Sequence, residues 1–155
     1  GVTGVQTCAL PIYGRPEQDE RDIRSARRLV HAAKESLHEA INRIGPGACL
    51  TDVGAAVQDV ADAYGYSTVE KYRGHGIAED FHRPPFVKHY RNYDKLELVP
   101  GMIFTIEPML VEGSGDCFEW SDQWTVATTD GGMAAQFEHT VLIREDGVEI
   151  LTIPS

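Results

Sequence analysis

Two histidines and two glutamates in the second half of the chain have the types and settings that could bind a metal. His75 and His82 lie in the stretch GHGIAEDFH, Glu107 lies in TIEPM and Glu138 lies in AQFEHT. Each glutamate interrupts an apolar run, and an ionised carboxylate in a buried strand needs a partner. A divalent cation shared by two carboxylates and an imidazole would be such a partner, because borderline metals accept both ligand types.

The same residues also have plain structural interpretations. The glycines on both sides of His75 fit a tight turn as well as a place where a ligand, a metal or a second chain segment approaches the backbone. Glu107 and Glu138 could face solvent on an antiparallel sheet, and the proline after Glu107 is typical of an edge strand. From these residues alone, both interpretations stay open.

The composition is that of a single soluble domain. The chain has 155 residues, of which 42% are apolar and 25% are charged, enough for one domain with a real core. The net charge of −10, with no offsetting basic cluster, argues against nucleic-acid and anionic-membrane partners. Three widely spaced cysteines and the absence of any membrane-length apolar run lead us to expect a protein of the reducing cytoplasm.

Two predicted helices precede a strand-rich half. The second helix should run from Thr51, as its cap, to Gly65, just beyond its end. The first should span about residues 16–44, with an apolar stripe of Ile23, Ala26, Val30, Ala33, Leu37, Ile41 and Ile44. Strands are predicted at 67–72, 102–111, 123–129 and 133–144. Because no βαβ rhythm appears, the predicted fold class is α+β, with helices packed on one face of a mainly antiparallel sheet.

The first twelve residues, GVTGVQTCALPI, differ in character from the rest of the chain. They have no helical period, no clean alternation and no acidic residue, whereas the segment after Tyr13 is rich in charge. We therefore expect residues 1–12 to be a non-native or disordered leader and residues 13–155 to form the folded part.

Four longer motifs within residues 14–153 are more specific than any single residue. They are GHGIAEDFH with its two following prolines, LVPGMIFTIEPM, DQWTVATTD and AQFEHTVLI. Together they resemble the C-terminal portion of the type I methionine aminopeptidases, M24 metallopeptidases of the pita-bread fold. Proline-peptidase relatives usually carry EPG in place of EPM. Only 31 positions separate Glu107 from Glu138, which leaves no room for the helical insertion of the type II enzymes.

The resemblance implies a metal centre. It makes His75, Glu107 and Glu138 metal ligands, with Glu138 bridging two divalent ions and Glu107 also taking part in proton transfer. The ions would be Co, Mn, Fe or Zn, and they would activate a water molecule and polarise the substrate carbonyl. His89 and His139 gain no role from the resemblance.

The resemblance also implies a substrate. His82 would contact the substrate beside its scissile peptide, and Phe81, Met109 and Trp124 would be walls of the pocket for the methionine side chain. The expected function is removal of the N-terminal methionine from nascent polypeptides, near the ribosome, by a protein that is monomeric when complete. Two alternatives are a non-enzymatic peptide- or partner-binding module of the same fold and a proline-specific M24 peptidase.

The family pattern includes further residues that this sequence does not show. Two aspartates and a histidine are expected upstream, at or before the leader, and the leader has no acid. We therefore expect a partial catalytic domain that is inactive by itself. We also expect Ile103, Ile106, Val141 and Ile143 to lose part of their packing, because the other half of the sheet would be missing.

Overall fold

The computed structural model describes residues 20–153, in which two helices are followed by ten short strands. The leader predicted at residues 1–12 and the predicted helix start near residue 16 lie outside the described residues. The helices are α1, Glu20–Arg43, and α2, Thr51–Tyr64. The strands are β1 Ser67–Thr68, β2 Gly74–Gly76, β3 Arg83–Val87, β4 Ile103–Ile106, β5 Met109–Val111, β6 Cys117–Glu119, β7 Val126–Thr128, β8 Ala134–Gln136, β9 His139–Arg144 and β10 Gly147–Ile150.

The two helices follow the predicted apolar pattern with local differences. In the first half of α1 the predicted stripe is rotated: Ile23 and Val30 are 41% and 38% exposed, while Leu29 is buried. Thr51 does not cap α2, because the residue before the helix is Leu50, which makes no side-chain cap bond. The Asp52 carboxylate accepts a hydrogen bond from the Cys49 N–H instead, at 2.9 Å. Neither described helix has the length and apolar content to cross a membrane.

Antiparallel pairing connects all the strands, as predicted. A five-stranded sheet has the order β10-β9-β4-β2-β3, a three-stranded sheet has the order β1-β5-β8, and β6 pairs with β7. The predicted strands at 102–111 and 133–144 are each interrupted, the first at Glu107-Pro108 and the second at Phe137-Glu138. The same two chain segments therefore pass side by side from the three-stranded sheet into the five-stranded one.

Other predicted strands are shorter than expected, and four observed strands were not predicted. Of the predicted strand at 67–72 only Ser67–Thr68 forms, and of that at 123–129 only Val126–Thr128 forms. The strands missed were β2, β3, β6 and β10. Sequence patterns argue against β2, which is two-thirds glycine, and against β3, which contains two adjacent prolines.

The helices cover the central strands of the five-stranded sheet. Ile106, Val141 and Ile143 have no exposed surface, and they belong to one core cluster with residues of α1 and α2. The expectation that these three residues lose packing is therefore wrong, because they are fully buried in the core that the helices share with the sheet. Ile103 is partly exposed.

One glycine allows α2 to approach the loop after β3. A Cβ atom added at Gly54 would collide with the carbonyl oxygen of Tyr90 and would lie 2.9 Å from that of Lys88 and 2.7 Å from the Asn92 amide nitrogen. These neighbours are mainly backbone, so they cannot rotate away. The absence of a side chain at position 54 thus fixes how closely the loop at residues 88–92 packs on the helix.

We predict that Gly54→Ala destabilises the protein, by about 1–3 kcal/mol from overpacking. Helix propensity alone would favour alanine by about 1 kcal/mol, so a net loss of stability shows that the close contact dominates. Urea unfolding measures the difference. Gly45→Ala is the matched control, because nothing lies within 4 Å of its added Cβ. A Gly54→Ala protein as stable as the control variant would contradict the packing described here.

Candidate metal and substrate site

The two candidate glutamates lie at matching interruptions of one antiparallel pair. Ile106 faces His139 on one side of the interruption, and Met109 faces Gln136 on the other. The register is the same on both sides, so Glu107 is placed across from Glu138. The strands on either side of the Glu107-Pro108 step, β4 and β5, are both interior in their sheets, which rules out the edge-strand interpretation of that step.

His75 lies in β2, next to the strand that leads to Glu107. An added Cβ at Gly74 would meet the Thr105 carbonyl oxygen of β4, and one at Gly76 would lie 2.5 Å from the Pro84 carbonyl oxygen of β3. The glycines therefore let neighbouring strands approach, and the stretch is a buried strand rather than a tight turn. Packing, not a ligand, explains these two glycines.

The His75 ring points one nitrogen toward Glu107. Its Nδ1 lies 3.1 Å from the Gly76 carbonyl oxygen. Since a carbonyl only accepts, Nδ1 is the donor in this contact, and in the corresponding tautomer Nε2 carries the lone pair. That Nε2 lies 3.8 Å from Glu107 Oε1. Two ligand atoms each about 2.1 Å from one ion can lie up to about 4.2 Å apart, so this pair has a separation that fits shared coordination.

Burial shifts the pKa values of both glutamates upward, and the Glu138 charge adds to the rise at Glu107. The pKa of Glu107 is raised to about 7, first by burial and second by the nearby Glu138 charge, while the hydrogen bond from Thr105 opposes the rise. The pKa of Glu138 is also raised by burial, against the lowering effect of His75 and His82. Two carboxyl groups that resist ionisation side by side form a site that a cation would stabilise.

His82 and Phe81 pack around the His75 ring. The His75 and His82 ring centroids are 4.3 Å apart, and the Phe81 centroid is 5.3 Å from that of His75. Both His82 and Phe81 are exposed. His82 thus borders the glutamate pair from the solvent side, where an incoming molecule can reach it.

A cavity of about 680 Å³ has both glutamates in its lining. Met109 and Trp124 contribute to the same lining, and Trp124 is 84% exposed at the cavity edge. Phe81 is absent from it. The structure therefore brings the two acids, Met109 and Trp124 to one cavity, and it places Phe81 beside the His75 ring instead. The remaining apolar lining comes chiefly from Val69, Val111, Val126, Ala127, Ala134 and Ala135.

His89 is a site residue that the sequence did not indicate. It is 2% exposed, and burial lowers its pKa to about 3, so the ring is neutral. Its Nε2 accepts a hydrogen bond from the Glu107 N–H at 3.0 Å. The only sequence signal would have been an aromatic and apolar setting, Val87 to Tyr90, unusual for an exposed histidine.

The donor types and the His75–Glu107 separation fit a divalent cation. Glu138 has not converged on that pair: across residues 20–153, no group of three His, Cys, Asp or Glu side chains is close enough to hold an ion as it stands. The arrangement therefore supplies two ligands at a fitting distance and a third carboxylate on the opposite strand.

The chain is similar in sequence and in fold to several methionine aminopeptidases. Methionine aminopeptidase B of Synechocystis sp. is 48% identical over 130 residues, which are 83% of this chain and 47% of that protein. The methionine aminopeptidase of Escherichia coli is 43% identical over 127 residues, 81% of this chain and 48% of that protein. The crystal structure of the methionine aminopeptidase of Thermotoga maritima matches with a TM-score of 0.81 and 38% identity, covering 89% of this chain and 54% of that one.

These matches establish the fold. They cover only part of the length of each relative. The α+β prediction is confirmed, and the architecture is the pita-bread fold of the structural neighbours. The chain spans between about a third and a half of the length of the curated relatives it matches first. The model of metallopeptidase family M24 matches residues 1–145. A metallopeptidase family implies a divalent metal cofactor, and this chain belongs to metallopeptidase family M24.

Proposed function

We propose that the protein is a metal-dependent aminopeptidase that removes the N-terminal methionine of nascent polypeptides. The observation that carries the proposal is a single cavity lined by two opposed glutamates and by apolar side chains, including Met109 and Trp124. Its size suits one amino-acid side chain and the start of a peptide. The names of the relatives, methionine aminopeptidases at 43–48% identity, support the same activity.

His75, Glu107 and Glu138 are the proposed metal ligands in this chain. They would hold divalent ions, drawn from Co, Mn, Fe or Zn and two in number, together with two aspartates of the family pattern that this sequence does not show. When bound, such ions polarise a carbonyl group and lower the pKa of water. The Nδ1–H donated to the Gly76 carbonyl orients the His75 ring so that Nε2 is the ligand atom.

The residues beside the ligands supply proton transfer and charge stabilisation. The Glu107 carboxylate can take a proton from the attacking water and pass it to the departing amine. His82, exposed beside His75, can donate a hydrogen bond to the negative charge that develops on the carbonyl oxygen.

The pocket for the methionine side chain is proposed to include Met109, Trp124 and Phe81. Met109 and Trp124 line the cavity, and a thioether packs well against methionine and aromatic side chains. Phe81 would have to turn from its place beside His75 to join them. We further propose that the protein acts as a monomer in the cytoplasm, near the ribosome, where nascent chains emerge.

We predict that the active protein releases methionine from Met-Ala peptides and leaves Xaa-Pro peptides intact. The protein to assay is residues 13–155 joined to the N-terminal half of a relative, which carries the two aspartates, with the 155-residue chain alone in parallel. We expect the fusion to be active and the chain alone to be inactive. Glu138→Gln in the fusion is the matched control for background hydrolysis. Preference for Xaa-Pro would assign the protein to the proline peptidases, and peptide binding without turnover would assign it to the binding modules.

We predict that the two histidines of GHGIAEDFH separate metal binding from turnover. In the fusion protein, His75→Ala removes a ligand nitrogen and should lower the metal content. His82→Ala should leave the metal bound and lower kcat by about 10²–10³-fold, as expected for loss of one electrostatic donor. Elemental analysis and steady-state kinetics on the same preparations measure both effects. Equal metal loss in both variants would show that His82 is a ligand.

We predict that the metal-free protein loses stability as the pH rises from about 4.5 to about 7. Glu107 keeps its proton longer in the folded state than in the unfolded state, so the unfolded state gains stability across this window. The loss should approach roughly 3 kcal/mol and level off above pH 7. Urea unfolding at a series of pH values measures it. Glu107→Gln should flatten the profile, and a wild-type profile identical to that of the variant would contradict the raised pKa.

A further inference from the structure

Glu107 lies between two paired segments and is not itself paired in the β-ladder. The pairing of β4 with β9 stops at Ile106, and the pairing of β5 with β8 starts at Met109. A buried N–H that leaves the ladder needs another acceptor. For Glu107 that acceptor is Nε2 of His89, at 3.0 Å. A side chain from the loop after β3 thus takes over a bond that the neighbouring strand would otherwise provide.

We propose that His89 and Thr105 are the positioning residues of Glu107, His89 through its main chain and Thr105 through its carboxylate. The functional consequence rests on the proposed metal-dependent activity, because only a ligand and proton carrier needs a fixed carboxylate. The hydrogen bonds themselves do not depend on that activity.

His89 can hold the Glu107 main chain because its own position is fixed. The ring is 2% exposed, and its Nε2 carries no proton because it accepts the Glu107 N–H. Its loop is held against α2 where Gly54 lets the Tyr90 and Lys88 carbonyl groups approach. The Asn92 side chain closes the same loop by donating to the Tyr90 carbonyl oxygen at 2.8 Å. The acceptor is therefore anchored to the helical layer rather than to the sheet.

Thr105 joins the two candidate ligands through one hydroxyl group. It is 1% exposed, and its Oγ1 accepts the His75 N–H at 2.9 Å. The same hydroxyl donates to Glu107 Oε1, also at 2.9 Å. Oε1 is the oxygen that faces His75 Nε2. The hydroxyl therefore ties the strand that carries the histidine to the carboxylate oxygen nearest its ring.

The two bonds restrict Glu107 at both ends of its side chain. His89 determines where the side chain leaves the backbone, and Thr105 determines which way one oxygen points. Groups that hold a metal ligand in this manner affect metal affinity or activity by about 10–100-fold when they are removed. We expect losses of that size here, without direct contact between either residue and the substrate.

The experiment uses matched pairs of variants in the 155-residue chain. His89→Leu removes the acceptor and His89→Gln keeps one, since the glutamine Oε1 reaches about as far as Nε2. Amide hydrogen exchange, followed by NMR, reports on the Glu107 N–H. We expect exchange about 10-fold faster or more in His89→Leu, as a lost buried hydrogen bond requires, and protection restored in His89→Gln. Unchanged exchange in His89→Leu would overturn the role of His89.

A second pair tests Thr105. Thr105→Val keeps the shape without the hydroxyl, and Thr105→Ser keeps the hydroxyl. Titration with Mn²⁺ alone, followed by calorimetry, should show about 10–100-fold weaker binding for the valine variant and near-normal binding for the serine variant. In a Glu107→Gln background the Thr105→Val effect should disappear, which a merely structural role would not produce. Equal Mn²⁺ affinity of the valine and serine variants would overturn the role of Thr105.

The readouts separate this inference from the proposed function. If the wild-type chain binds no Mn²⁺, the same titration is made on the fusion protein that carries the two aspartates. Absence of binding there would show that the metal ligands proposed for this chain are wrong, and the Glu107 amide exchange in the His89 pair still decides the positioning inference. If His89→Leu does not fold, exchange of the His75 N–H in the Thr105 pair tests the positioning inference. Faster exchange in Thr105→Val than in Thr105→Ser would support the inference, and equal exchange would contradict it.

Discussion

The site depends on two acidic side chains that face each other where a pair of strands interrupts its ladder. In an uninterrupted ladder, the side chains of Glu107 and Glu138 would follow the regular alternation of the two strands. Their backbone N–H and C=O groups would then hydrogen-bond across the pair. The interruption frees those groups and lets both carboxyl groups turn toward one cavity. At that interruption, His89 from the loop packed on α2 accepts the Glu107 N–H, and Thr105 donates to the Glu107 carboxylate.

This arrangement conflicts with stability. Burial disfavours ionisation of both glutamates and raises their pKa values, and the Glu138 charge adds to this effect at Glu107. A sequence selected only for a stable sheet would place apolar residues at both positions. The conflict is typical of functional sites, where a local rule is broken and the surrounding structure compensates. Here the compensation is visible in hydrogen bonds from Thr105 and Gln136 to Glu107.

The sequence predicted those parts of the structure in which local pattern and final packing agree. The period of α2, its end at Gly65 and the antiparallel strand-rich half follow from residues a few positions apart. The unusual settings of His75, Glu107 and Glu138, together with the resemblance, predicted a shared site, of which the structure contains the His75–Glu107 contact and the opposed positions of the two glutamates.

The remainder depended on contacts between residues far apart in the chain. No local pattern marks Gly74–Gly76 as a strand, because it becomes one only when β3 and β4 pack on its glycines. The rotated stripe of α1, with Leu29 inside and Val30 outside, was set by the sheet it covers. His89 was missed since its acceptor role involves a residue 18 positions away. The full burial of Ile106 and Val141 was not predicted, because it depends on a core shared with helix residues that lie far away in the sequence.

The ladder on both sides of the glutamates has a consequence for how the chain tolerates changes in length. From β4 to β5 and from β8 to β9, any added or deleted residue would shift one strand against the other and turn alternate side chains to the opposite face. The connection between β5 and β8 carries no such restriction, because β6 and β7 pair only with each other. This hairpin borders the cavity through Trp124. The protein can therefore vary the rim of its cavity by lengthening or shortening a hairpin that pairs with no other described strand, while the β-ladder fixes the spacing of the two acids.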